Sequence, residues 1–200
     1  MGELLPTNVH KITYFYTTTQ IFTAIELEQI TSMMEHHGRN DFALLIKFLA
    51  ETGFRIGQAL TLQWSDIEDG MIFRKSKNKA RHESFFITTS IAQILQEIKK
   101  YHGKDDTKIF AWSATSASSL TRDLKIYLDL CGIEKNHRNF HAIRKTAATR
   151  WAEQGIPLQE VQKLLGHTHI ETTNNYYVGV NMEKLRQKLE MSSIENLSRI

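Results

Sequence analysis

Residues 141–176 read H-A-I-R-K-T-A-A-T-R-W-A-E-Q-G-I-P-L-Q-E-V-Q-K-L-L-G-H-T-H-I-E-T-T-N-N-Y. Phe140, Ile143, Ala147, Ala148 and Trp151 recur at helical spacing, so His141 and Arg144, three positions apart, leave that helix in roughly one direction and can share a target. Gly155 stops the helix. Pro157, at a first-turn position, opens another whose buried face is Val161, Leu164 and Leu165. Gly166 ends it quickly and delivers His167 at a helix terminus, and the polar stretch from Thr168 to Asn175 leads to Tyr176 and Tyr177. A cation, two imidazoles and a phenol are thereby brought into one neighbourhood.

The rest of the chain reads as scaffold for this stretch or as a source of charge to it. Its 200 residues, 41% hydrophobic, suffice for one domain with a sizeable core and are too few for two ordinary ones. A formal charge of +3 permits a nucleic-acid partner without requiring one. Cys131 is the only cysteine, so no intrachain disulfide can form and the chain reads as intracellular. The longest apolar run, Phe42 to Ala50, is too short to cross a bilayer and contains Lys47, and the N-terminus has no signal-peptide pattern. A cytoplasmic, nucleoid-associated protein without a membrane segment is the expectation.

Residues 1–22, with Pro6 and a Tyr- and Thr-rich run from Ile12 to Thr19, suggest an extension or linker. Thr23 followed by Glu26 is a capping-box pattern that starts a helix with Ile25, Leu27, Ile30 and Met33 or Met34 for burial. Asp41 is expected to cap the next helix, Phe42 to Glu51, whose near-continuous apolar content places it centrally. Thr52-Gly53 breaks it, and Arg55 follows the turn ahead of a short helix carrying Ile56, Leu60 and Leu62. Asp66-Ile67, the Asp69-Gly70 turn, Met71 to Lys75 and Ser84 to Thr88 predict a small antiparallel sheet, with Lys77 to Arg81 as the loop between its last two strands. Thr89-Ser90 caps a helix with Ile91, Ile94, Leu95 and Ile98 inward. A further helix spans about Leu120 to Cys131, with Leu124, Tyr127, Leu128 and Leu130 on its apolar side, and Met182 to Leu197 is amphipathic. Together these elements predict an α+β fold: a mainly helical single domain with a small antiparallel β-sheet.

Three motifs carry a family resemblance. H-A-I-R-K, then L-L-G-H, then a tyrosine nine positions after that histidine resembles the second conserved box of the tyrosine recombinases, the phage-integrase family, and T-G-F-R-I-G-Q-A-L-T-L-Q-W-S-D-I at 52–67 resembles its first box nearly throughout. The basic hairpin at Arg74, Lys75, Lys77, Lys79 and Arg81 resembles the family's lysine-bearing hairpin, which enters the DNA groove near the cleaved phosphate. The resemblance spans about residues 23–180, which would form the tyrosine recombinase catalytic domain, with 181–200 as a C-terminal helical tail. It implies Arg55, Lys77, His141, Arg144, His167 and Tyr176 as catalytic residues, with Tyr176 the nucleophile. Arg74, Lys75, Lys79 and Arg81 become DNA contacts; Lys75 and Lys79 stand behind Lys77 for the catalytic lysine, and Tyr177 behind Tyr176. The family carries an acidic residue three places after the first arginine, where this chain has Gln58; an amide accepts a hydrogen bond there more weakly than a carboxylate. The family's separate core-binding domain has no room in these 200 residues, so the expectation is either an excised catalytic domain or one of the small recombinases that lack that domain.

The chemistry matches the residue types. Metal-free cleavage of a phosphodiester needs a nucleophile, neutralised oxygens, a proton for the leaving oxygen and exact placement. Arginines present planar, permanently charged forks to a phosphate, and histidines hydrogen-bond or move protons near neutral pH. Tyrosine, with an ordinary pKa of about 10, requires a positive field or a base to attack. The resemblance implies a covalent 3′-phosphotyrosine intermediate and no metal, ATP or other cofactor. It also implies double-stranded DNA as partner and a homo-oligomer, tetrameric on DNA, with a monomer as the free form. His141, His167 and His169 lack a cysteine or carboxylate at zinc spacing, so no metal is expected. The alternatives are a type IB topoisomerase-like enzyme and a DNA-binding regulator that keeps the fold with little turnover.

Overall fold

The helix Asn40–Thr52 (α2) is buried on almost every side, because Phe42, Ala43, Leu44, Leu45, Ile46, Phe48, Leu49, Ala50 and Thr52 leave it no wide polar face. In this computed structural model, which describes residues 21–75, 82–101 and 107–166, the other helices are laid around it. Ala24–His36 (α1), Thr89–Lys100 (α4) and Phe140–Glu153 (α6) all pack on α2, Ala117–Leu130 (α5) closes on α1, and Leu158–Leu165 (α7) packs on α6; Ile56–Ala59 (α3) is a single turn after α2. Strands Ile67–Glu68 (β1), Met71–Lys75 (β2) and His82–Phe86 (β3) form one antiparallel sheet in the order β1-β2-β3. Asp69 and Gly70 both take positive φ, 48° and 73°, the geometry of a tight hairpin turn between β1 and β2. The mainly helical α+β expectation is met.

Local chemistry explains most element ends. Thr23 and Glu26 form the full capping box at the start of α1: the Glu26 N–H donates to Thr23 Oγ1 and the Thr23 N–H donates to Glu26 Oε2. Asp41, expected as a cap, instead sits inside the first turn of α2, which begins after Arg39; there it accepts from its neighbour's N–H and places an acid at the positive end of the helix dipole. Pro157 is likewise one position earlier than expected, at the N-cap of α7. Ile25 and Leu130 are exposed, because the inward stripes of α1 and α5 run through Ile30 and Met34 and through Leu120, Leu124, Tyr127 and Leu128. Phe22, assigned by sequence to the linker, is buried, and its N–H donates to Thr146 Oγ1 of α6 at 2.8 Å.

Gly53 is the residue that lets three helices meet. It caps α2 in the left-handed conformation, φ 61°, and a Cβ there would lie 3.1 Å from the Trp151 ring and 3.2 Å from Leu165 Cδ2. The turn therefore allows α2, α6 and α7 to approach at one point, and Gly53→Ala combines a disfavoured φ with overpacking. A loss of about 1–3 kcal/mol in urea unfolding is expected; wild-type stability in this variant would mean that the close approach is not tight.

Candidate functional site

The Gly53 corner is where the separated motifs of the sequence meet. Arg55, at the N-cap of α3, is exposed; Phe54 beside it is buried, its ring edge-on to those of Phe48 and Phe85. The Arg55 N–H donates to Gln58 Oε1 at 3.1 Å. Gln58 therefore fixes the backbone from which the guanidinium departs, so its amide oxygen is already in use at the helix start.

Asn139 caps α6, its side-chain oxygen accepting from the N–H groups of His141 and Ala142. The helix then presents His141 to solvent and carries Arg144 inward, where only 1% of it is exposed. Arg144 Nη1 donates to the Gly53 carbonyl and Nη2 to the Leu165 carbonyl, each at 2.6 Å. One guanidinium thus braces the chain two residues before Arg55 and two residues before His167. This placement differs from an exposed phosphate fork: Arg144 is a charged strut beneath the surface.

The charges around His141 follow from the same arrangement. Partial burial of its ring is the main influence holding its pKa below the ordinary imidazole value, although the residue as a whole is exposed; the positive charges of Lys145, Arg144 and Arg55 add to it in that order. Two arginines from distant parts of the sequence and a third cation therefore act on one imidazole. Lys145, half-buried, has its own pKa lowered by desolvation. Sequence reasoning misses it as a site residue, although it is the last residue of H-A-I-R-K and the stepwise charge of that motif is its signal.

The effect on stability has a definite sign. Because the folded-state pKa of His141 lies below the unfolded value of about 6.5, the folded chain binds fewer protons in the interval between them. The contribution is fully present above about pH 6.5 and is lost as the pH falls through the folded pKa. His141→Asn should flatten the acid limb of a pH–stability profile, and an unchanged limb would refute the assignment.

Arg74 departs from the sequence expectation. Its charge groups it with the groove-facing cations of the hairpin, yet it is 2% exposed, because it shares the inward face of β2 with Ile72 at the two-residue period of a strand. Its Nη2 donates to the Leu164 carbonyl at 2.8 Å and its guanidinium lies 4.4 Å from the centre of the Phe54 ring. Lys75 ends β2, at the base of the hairpin. Lys77, Lys79, Arg81, His167, His169, Tyr176 and Tyr177 lie outside the described residues. Among the described residues no group of three or more His, Cys, Asp or Glu side chains is placed to hold a metal ion, and no helix is long and apolar enough to cross a membrane.

The sequence profile of the phage integrase family matches residues 20–184. The chain belongs to the phage integrase family. Among the relatives of this integrase-family chain, the tyrosine recombinase XerC of Chlamydia pneumoniae is 31% identical over 162 residues, covering 75% of this chain and 51% of that protein. A tyrosine recombinase XerC-like protein of Caldanaerobacter subterraneus subsp. tengcongensis is 28% identical, covering 82% and 51%. The chain spans about half the length of these relatives. Of solved structures, the XerA recombinase aligns with a TM-score of 0.68 at 21% identity, covering 86% of this chain and 64% of that one. The Tn1549 transposon integrase in complex with transposon right end DNA aligns at 0.72 with 18% identity, covering 86% and 66%. These likenesses establish the fold as that of the family's catalytic domain.

Proposed function

We propose that this chain is the strand-transferring part of a site-specific DNA recombinase. The observation that carries the reading is the convergence on one corner of Arg55, His141, Arg144 and Lys145, drawn from two motifs that are far apart in the sequence. Exposed Arg55 meets a non-bridging phosphate oxygen, and Arg144 adds permanent charge from beneath while holding the corner in shape. His141, whose partial burial and neighbouring cations favour its neutral form, donates or accepts a hydrogen bond at the same phosphate.

Tyr176 supplies the nucleophile and Lys77 the proton. The phenolic oxygen bonds to phosphorus as the bond to the 5′ oxygen breaks; the phenol gives up its proton to a neighbouring base, and Lys77 protonates the departing 5′ oxygen, which leaves as a hydroxyl. A 5′-hydroxyl from another strand reverses the step, since the phosphotyrosyl ester conserves the energy of the broken phosphodiester bond, and no ATP or metal is consumed. The solved relatives include a XerH recombinase bound to difH substrate and a lambda integrase dimer bound to a core site, which supports double-stranded DNA as the partner here. Exchange takes place within a tetramer assembled on DNA in the cytoplasm.

Incubation of the protein with nicked duplexes from its own genomic neighbourhood, in excess chelator, should trap a covalent protein–DNA band. Products joined between two duplexes distinguish recombination from relaxation of a single supercoiled circle. Binding without a trapped adduct on any nicked duplex would favour the non-catalytic regulator.

A further inference from the structure

Arg74 and Arg144 are the two largest side chains in the fully buried interior, and they serve consecutive carbonyls. The final carbonyls of a helix have no intrahelical donor. At the end of α7 the Gly166 N–H turns back to Lys163, and the Leu164 and Leu165 carbonyls each take a side-chain donor. Arg74, on β2, donates to the first and Arg144, on α6, to the second. Both cations also sit at the negative end of the α7 dipole.

The geometry points to Arg74 as a positioning residue for strand transfer. It ties β2, the strand that leads into the lysine-rich hairpin, to two other places at once: the last turn of α7, through Leu164, and the aromatic ring next to Arg55, through the guanidinium face on Phe54. β2, the arginine corner and the end of α7 are thereby held in one register. A methionine or leucine would fill the same volume without the desolvation cost of a buried cation. What only the guanidinium provides is a directional bond to a helix end together with a flat face for a ring. The catalytic consequence rests on the strand-transfer reading; the mechanical coupling does not.

The test pairs Arg74→Met, which keeps volume and removes the donors, with Arg74→Lys, which keeps one charged donor. Hydrogen exchange of the intact chain, read by mass spectrometry, should rise at least tenfold in the Met variant for the amides around Gly53–Arg55 and Leu164–Gly166, and stay unchanged in α4 and α5. Single-turnover cleavage of the nicked duplex should fall at least tenfold while DNA affinity stays within threefold, and the Lys variant should recover part of both effects. Uniformly raised exchange would overturn the proposal in favour of a plain core role, as would wild-type exchange and cleavage. If the wild-type chain traps no adduct, the strand-transfer reading fails, and the exchange measurement still decides the coupling.

Discussion

Tyr176→Phe should bind DNA as the wild type does and form no covalent adduct on a nicked duplex. The substitution removes one oxygen and leaves every cation in place. Affinity for a phosphate backbone comes from neutralising lysines and arginines, which this change does not touch, so salt-dependent binding should be superimposable on that of the wild type. Loss of the nucleophile itself should cost roughly a thousandfold or more in single-turnover cleavage. The reason for selecting Tyr176 over its neighbour is chemical register: the family spacing from the L-L-G-H histidine reaches Tyr176 and overshoots at Tyr177. A covalent band that persists in Tyr176→Phe and vanishes in Tyr177→Phe would transfer the role, and one that persists in both would end the phosphotyrosine mechanism altogether.

How much of the molecule is legible in its sequence depends on the range of the interaction concerned. Features set by a few consecutive residues are readable. The Thr23–Glu26 box, the Asp69-Gly70 turn and the glycine ends at Gly53 and Gly166 all stand where local backbone chemistry puts them. The shift at Asp41 is of the same local kind: Asp41 is a good cap and also a good first-turn acid, and the second use prevails by one position. The site is half-readable. That Arg55 and Arg144 come to one corner of the fold is legible in the order of motifs, but their division of labour is not. Which guanidinium stays at the surface and which is drawn inside depends on carbonyls exposed by the ends of two other helices.

Arg74 shows the same limit more sharply. Its charge suggests the groove, while the strand alternation from Ile72 points it inward. Charge outweighs period in a sequence reading because a buried arginine is expensive, and the compensation, a helix terminus and an aromatic face brought from residues 164 and 54, is invisible until the chain folds. Gln58 is a comparable case. Its place in the motif marks it as a weaker stand-in for an acid that orients the guanidinium, whereas the side chain is engaged on the backbone N–H of Arg55.

Replacing Arg144 should produce the largest combined loss of stability and rate in this chain. In Arg144→Ala two buried carbonyls, of Gly53 and Leu165, lose charged donors 2.6 Å away, and a cavity opens where α2, α6 and α7 meet. Hydrogen bonds to charged groups contribute about 1.5–3 kcal/mol each, so the pair predicts a loss of about 3–6 kcal/mol, a large share of the roughly 5–15 kcal/mol that holds a domain folded. Arg144→Lys separates charge from geometry. It preserves the cation, but a single ammonium on a flexible stem cannot span both carbonyls as a planar fork does. Urea unfolding of the Lys variant should show a smaller loss, about 1–3 kcal/mol for the carbonyl left unserved, while cleavage measured on the folded fraction still falls by roughly a hundredfold, the usual cost of one misplaced charge-stabilising group. A Lys variant with wild-type stability and wild-type cleavage would mean that charge alone suffices there. The brace between the Arg55 corner and the end of α7 would then have no part in placing the phosphate.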